Sequence, residues 1–93
     1  MYIVVRTWKN ASVVSDKIME RRQEVTDLLK AVPGFKAYYA TRDGDTLTTV
    51  TVCESKAGTD ESTRRAGEWV KANVSGAAVG APSIAEGETL LQF

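Results

Sequence analysis

In the run RRAGEWVKANV, Trp69 and Asn73 stand four residues apart. On a helix that spacing makes their side chains neighbours on one face, together with Ser62, Ala66 and Val70. An amide turned toward a protein interior must find hydrogen-bond partners or it costs about 1–3 kcal/mol. The pair therefore reads in two ways. It is a polar handle beside an aromatic wall, able to orient a small molecule, or it is a core tryptophan with an asparagine satisfying a free carbonyl near the helix end. Arg21 poses a similar choice, because it falls within the apolar stripe Val14, Ile18, Val25, Leu28 and Val32. A permanently charged, fork-shaped donor there suits a phenolate, enolate or carboxylate. Alternatively its stem covers the core while its head reaches water. Tyr38 and Tyr39 are adjacent on a strand and so point to opposite faces. One phenol belongs to a pocket, where it can donate a hydrogen bond or relay a proton, and the other to an interface that it fills. Parity alone does not say which is which. Trp8 and Arg6 share one face of the first strand and raise the same question.

The missing residue types narrow the chemistry. There is no histidine among the 93 residues, which removes imidazole metal sites, Ser-His and Cys-His catalysis, and histidine-ligated heme. Cys53 is the only cysteine. It can form no intramolecular disulfide and cannot hold zinc alone, so buried packing is its plainest role. Twelve acidic and twelve basic residues cancel, with no basic block, whereas non-specific nucleic-acid binding needs positive surface. Arg64-Arg65 reads as solvated helix surface. No Rossmann glycine fingerprint or P-loop is present, and no metal or other cofactor is expected. No apolar run approaches the about 20 residues that span a bilayer. The opening MYIVVRTWK lacks the regions of a signal peptide. These features lead us to expect one soluble, cytoplasmic domain over residues 1–93.

The elements that must position these residues follow from pattern. Tyr2 to Lys9 is β-branched and aromatic, hence a strand. Asn10 and Ser12 offer helix caps, and from Val14 to Val32 the apolar residues recur near the 3.6-residue period. Pro33-Gly34 ends that helix. Phe35 to Arg42 is a second strand, Asp43-Gly44-Asp45 a hairpin turn, and residues 46–55 a third strand. Its odd and even positions are each half apolar, so neither face declares itself. Residues 55–58 read as a loop, with Thr59 or Asp60 capping a helix that runs to about Val74 and carries Glu61 in its first turn. The small residues of 75–83 (SGAAVGAPS) read as a flexible connection, and Ile84 to Phe93 as a last strand with a bulge or close approach at Gly87. The order is β-α-β-β-α-β. This is the ferredoxin-like α+β pattern, with an antiparallel sheet and both helices on one face. In strand 1, Tyr2, Val4 and Trp8 oppose Ile3 and Val5; in strand 2, Tyr38 and Ala40 oppose Phe35, Ala37 and Tyr39. Both faces carry apolar weight, and an exposed apolar face of that size marks an interface. A homodimer through the open sheet face is expected.

The junction Val32-Pro33-Gly34-Phe35 followed by KAYYA, the strand TVTVCES, the tryptophan-bearing second helix and the closing PSIAEGE together resemble the antibiotic biosynthesis monooxygenase family. That family belongs to the dimeric α+β barrels, and the resemblance covers nearly the whole chain. It implies two sheets packed face to face into a barrel, with a pocket between sheet and helices in each subunit. Members of the family include cofactor-free oxygenases of activated polycyclic phenols, heme-degrading enzymes, and proteins with no known activity. The heme-degrading relatives rely on an Asn, a Trp and a His. Here Trp69 matches the tryptophan, Thr7 stands at the first-strand Asn position, and the His has no counterpart.

The resemblance implies a cofactor-independent monooxygenase acting on a small activated phenolic or polycyclic substrate. Trp69, Asn73 and Tyr38 would be catalytic, and Arg21, Tyr39 and Trp8 substrate-binding. A substrate that forms a stabilised carbanion needs only deprotonation, orientation and a dry pocket before oxygen accepts an electron. The alternative is a non-catalytic dimer that binds a small apolar molecule or serves as a scaffold. In that case the pocket is filled by its own side chains, and Asn73 and Arg21 turn outward. An RNA-recognition domain would want stacking aromatics on its central strands, and the third strand has none. A copper-chaperone-like chain would need a CxxC, which is absent.

Overall fold

A computed structural model describes residues 1–74 and 80–93. Strand β1 (Tyr2–Trp8) leads through Asn10, whose left-handed backbone (φ 54°) turns the chain, into helix α1 (Ser12–Glu20). Helix α2 (Arg22–Lys30) follows after a break at Arg21. Strands β2 (Phe35–Asp43) and β3 (Thr46–Cys53) form a hairpin. Helix α3 (Lys56–Asn73) crosses back to strand β4 (Ser83–Glu88). The four strands lie in the order β2-β3-β1-β4 and all pairs are antiparallel. This is the ferredoxin-like α+β fold, with the first helix of the pattern in two pieces. Among the described residues no helix is long and apolar enough to cross a membrane.

Several boundaries differ from the expectation, each for a physical reason. Neither Asn10 nor Ser12 caps α1; Ala11 holds that position, anchored by its N–H to the Asp45 carbonyl at 2.8 Å. The break at Arg21 keeps helical hydrogen bonds on both sides, Arg21 N–H to Lys17 O and Val25 N–H to Arg21 O. Its dihedrals (φ −115°, ψ 34°) nevertheless rotate Arg21 out of the apolar stripe and into solvent. Helix α3 starts at Lys56 rather than at Thr59 or Asp60, so the supposed loop is its first turn, with Ser55 as cap residue. Gly87 is neither a bulge nor a close approach. It pairs in register with Ile3, and the space around its Cα is open. Past Glu88 the chain leaves the ladder after a bond from Thr89 N–H to the Met1 carbonyl, and Leu90, Leu91 and Phe93 are exposed. Of the connection expected over 75–83, residues 75–79 lie outside the described residues.

The faces of the sheet settle the ambiguity in β3. Leu47, Thr49, Thr51 and Cys53 are buried beneath the helices, while the even positions are half-exposed. In β2 a bulge between Phe35 and Ala37 inserts Lys36, so that Phe35 faces Cys53 across the ladder and Ala37 faces Val52. The extra residue shifts the alternation by one. Phe35 therefore joins Tyr38 on the helix side, instead of siding with Tyr39 as simple parity requires, and both pack against the core of Trp8, Val14, Val25, Leu29, Leu47 and Trp69.

Close approach of α3 to the sheet depends on Gly58. A Cβ there would lie 2.8 Å from Cys53 Cβ and 2.9 Å from the Pro33 carbonyl oxygen, neither of which can swing away. We expect Gly58→Ala to lower the stability by about 1–3 kcal/mol, the usual cost of overpacking. Urea denaturation measures this, and an unchanged midpoint would show that α3 is not held so tightly.

Candidate functional site

Arg6 points from the middle of β1 into the space under α3 and is fully buried (0% exposed). A charge removed from water must be met by hydrogen bonds. Arg6 meets hydroxyls: Nε donates to Thr49 Oγ1 (3.2 Å), Nη2 to Thr51 Oγ1 (2.5 Å), and Nη1 to both Ser62 Oγ (3.2 Å) and Thr63 Oγ1 (2.7 Å). Thr49 stands directly opposite Arg6 in the β1–β3 ladder, and the two α3 hydroxyls come from successive residues in its second turn. Among the described residues no carboxylate pairs with this guanidinium. Burial pushes its pKa down, and the nearby Tyr38 and Cys53 act the other way. Arginine titrates so high that the group stays charged. Desolvation in turn raises the pKa of Tyr38 and of Cys53, with Arg6 partly offsetting both. The phenol and the thiol stay protonated at neutral pH.

Next to this cage lies an enclosed apolar space of about 30 Å³ between sheet and helices. Trp8, Leu29, Leu47, Ala66, Trp69 and Val70 form much of its wall, and among the described residues Tyr38 and Thr49 contribute its hydroxyls. Thr49 thus belongs to both the cage and the cavity. Outside, a groove of about 410 Å³ runs between α2 and β2 and shares Ile18, Val25, Leu29 and Tyr38 with the enclosed space. The Tyr38 side chain stands between the two.

The six residues singled out from sequence separate clearly. Trp8, Trp69 and Tyr38 come together at the cavity. Trp69 offers it an apolar face, since its indole N–H donates to Glu24 Oε2 at 2.6 Å. Asn73 does not enter the cavity; its amide donates to the Trp69 carbonyl at 2.9 Å, the helix-end role weighed above. Arg21 is at the surface with Nη1 3.5 Å from Glu24 Oε1, so it reaches the site only by steadying the carboxylate that orients Trp69. Tyr39 lies on the open face, 62% exposed, and lines the outer groove rather than the cavity. The helical period points to Arg21, whereas the arginine at the site is Arg6. The signal that marks it is its inward parity beside Val4 and Trp8, facing a strand whose inward positions are threonines.

Surface polar contacts hold the roof. Arg65, read from sequence as solvated, donates from Nε to Glu61 and from Nη1 to the Leu28 carbonyl at 3.1 Å, tying α3 to α2. Arg64 pairs with Glu61 and Glu68.

With this geometry in view, the chain has the fold of the antibiotic biosynthesis monooxygenases. It is similar to a Streptomyces coelicolor monooxygenase from the gene ActVA-Orf6, solved with the ligand Nanaomycin D (19% identity, 99% of this chain and 89% of that one, TM-score 0.70). It is similar to the heme-degrader MhuD from Mycobacterium tuberculosis, solved with two hemes in its active site (13% identity, 100% and 99%, TM-score 0.68). A protein of unknown function from Nitrosomonas europaea also shares the fold (18% identity, 99% and 91%, TM-score 0.73). No family model and no curated protein sequence matches the chain.

Hydrogen bonds from Arg64 and then Arg65 hold the Glu61 carboxyl down from 4.5 to about 2. A carboxylate depressed by folding adds stability that is complete above its unfolded pKa and lost as pH falls through the folded one. The window here runs from about 4.5 down to about 2. Because Glu61 is solvated, the contribution is small. Thermal melts across that window should show a shallower acid-side loss in Glu61→Gln than in the unaltered chain, and parallel curves would show that these ion pairs do not hold in solution.

Proposed function

We propose that the chain is a cofactor-independent monooxygenase of a small activated phenolic or polycyclic substrate, working as a homodimer in the cytoplasm. The observation that carries this reading is the apolar-walled cavity whose hydroxyls, Tyr38 and Thr49, adjoin a buried cation. An aromatic ring lodged in the adjoining groove against Tyr38, with its edge toward the wall of Trp8 and Trp69, leaves water, and apolar contact supplies its binding. A ring methylene beside a carbonyl or phenol gives up a proton to form a delocalised carbanion. Oxygen takes an electron from that carbanion, the pair recombines, and methylene plus O2 becomes ketone plus water without a further reductant. Tyr38 stays protonated through burial, so it donates to the substrate oxygen and steadies charge as it develops. Trp69 positions the ring, held by Glu24. Asn73 has no part in this reading, and Tyr39 serves only as an outer wall of the groove. The fold shared with a Streptomyces monooxygenase supports it.

The enclosed space of about 30 Å³ holds about one water. A ring system therefore has to occupy the neighbouring groove and displace Tyr38 inward or aside. This small volume favours the second reading, a non-catalytic dimer that binds a small molecule or acts as a scaffold. For the dimer the support is the open face, where Ile3, Val5, Val50 and Val52 are half-exposed and Tyr39 is largely so, beside the exposed Leu90, Leu91 and Phe93. The lone buried thiol Cys53 suits a reducing compartment.

Oxygen uptake with anthrone-type and quinol substrates, without added metal or flavin, tests the activity. We expect uptake by the unaltered protein, a kcat/KM at least about tenfold lower in Tyr38→Phe, a comparable loss in Trp69→Phe, and near-normal rates in Asn73→Ala. A folded protein inert across the panel would favour the binding reading.

Light scattering tests the assembly. The unaltered chain should run as a dimer, and Tyr39→Asp combined with Val50→Asp as a monomer. A monomeric unaltered chain would sink the sheet-face interface.

A further inference from the structure

The hydroxyl of Thr49 has a proton to give. Its oxygen accepts from Arg6 Nε, and a hydroxyl that accepts one bond still has its own O–H to donate. Thr49 is 1% exposed, and its hydroxyl meets the Tyr38 phenol in a hydrogen bond that works to lower that phenol's pKa, so the two hydroxyls form one chain in front of Arg6. Its side chain lines the cavity. A donor fixed from behind by a cation is a stronger donor, because hydrogen bonds in series polarise one another in a medium of low dielectric. Among the described residues the cation has no carboxylate partner, and neutral hydroxyls alone meet it. The titratable groups nearest it, Tyr38 on β2 and Cys53 on β3, are both held neutral by burial. Glu24 on α2 is across the cavity, bound to Trp69 and Arg21 at the surface. On the α3 side only the hydroxyls of Ser62 and Thr63 meet the guanidinium.

We propose that Thr49 and Tyr38 form an oxyanion-binding end of the cavity, with Arg6 as the positioning residue that charges it through Thr49, so that the site selects the ionised form of a phenolic or enolic ligand. This rests on the monooxygenase reading for the ligand class but not for any turnover. Binding then does the work of a base. A ligand whose anion is held more tightly than its neutral form ionises at lower pH when bound. Its proton leaves to solvent, since among the described residues no carboxylate lines the cavity and the chain has no histidine.

The test uses 2-naphthol, whose absorbance reports ionisation, under anaerobic conditions with the full chain. The apparent pKa of bound naphthol should fall by at least one unit below that of free naphthol, meaning that the anion binds at least tenfold more tightly than the neutral form. Thr49→Val keeps the shape of the side chain and should abolish the shift, while the binding of 2-methoxynaphthalene, which cannot ionise, is unchanged. Thr49→Ser should restore it. A bound pKa equal to or above the free one overturns the proposal from the unaltered protein alone, whatever the fate of the variants. So does an undiminished shift in Thr49→Val, or a failure of naphthol to bind at millimolar concentration. Oxygen consumption plays no part in this readout. A shift without oxygen uptake therefore leaves the inference standing and the oxygenase reading refuted, and uptake without a shift does the reverse.

Discussion

One buried guanidinium organises the interior. Arg6 sits where an apolar side chain would ordinarily be, on the inward face of a central strand, and its desolvation has to be answered by acceptors on β3 and α3. That requirement accounts for residues otherwise hard to place. Thr49 and Thr51 occupy inward positions of β3, where valine would pack as well, because each supplies an acceptor. Ser62 and Thr63 are poor helix formers in mid-helix, yet they complete the cage from above. The helix must come close enough for them to reach, and Gly58 lets it do so. Buried charges of this kind are seldom a gain over well-packed hydrophobic residues, which directs attention to what the charge does rather than to how it stabilises.

The floor and roof of the cavity are built differently. The floor is sheet, with Thr49 and Tyr38 fixed in register and tied to the cage. The roof is α2 and the later turns of α3, joined by Arg65 to the Leu28 carbonyl and by Trp69 to Glu24, with Arg21 outside both. Contacts among half-exposed groups are individually weak. A site with a rigid charged base and a lightly fastened cover can fix one oxygen of a ligand closely while tolerating variation in the rest of its ring system. The enclosed space is small and the adjoining groove large, which fits that division.

Much of this was legible in the chain, for physical reasons that also explain the failures. The hairpin at Gly44, the helix stop at Pro33-Gly34 and the inward position of Trp69 follow from local chemistry: a positive φ, a ring that cannot continue a helix, and a 3.6-residue period. The start of α3 was misplaced because no side-chain cap marks it, and because Gly58 serves tertiary contact rather than a turn. The periodic stripe points inward at Arg21 only for an unbroken helix, whereas the backbone turns at that residue. The importance of Arg6 depends on partners 43 to 57 residues away, which no local pattern reports.

The register of β2 has a meaning beyond the geometry of one strand. The pairing that starts at the hairpin puts Tyr38 opposite Thr51 and Tyr39 opposite Val50, and the bulge takes up Lys36 so that Phe35 faces inward as well. Loss of Lys36 would leave both phenols where they are and merely straighten the strand, whereas loss of a residue between Tyr39 and the Gly44 turn would exchange them. A chemical group is thereby assigned to cavity or to outer surface by a count from the turn rather than by its identity, and equivalence with other chains along this strand has to be judged from register.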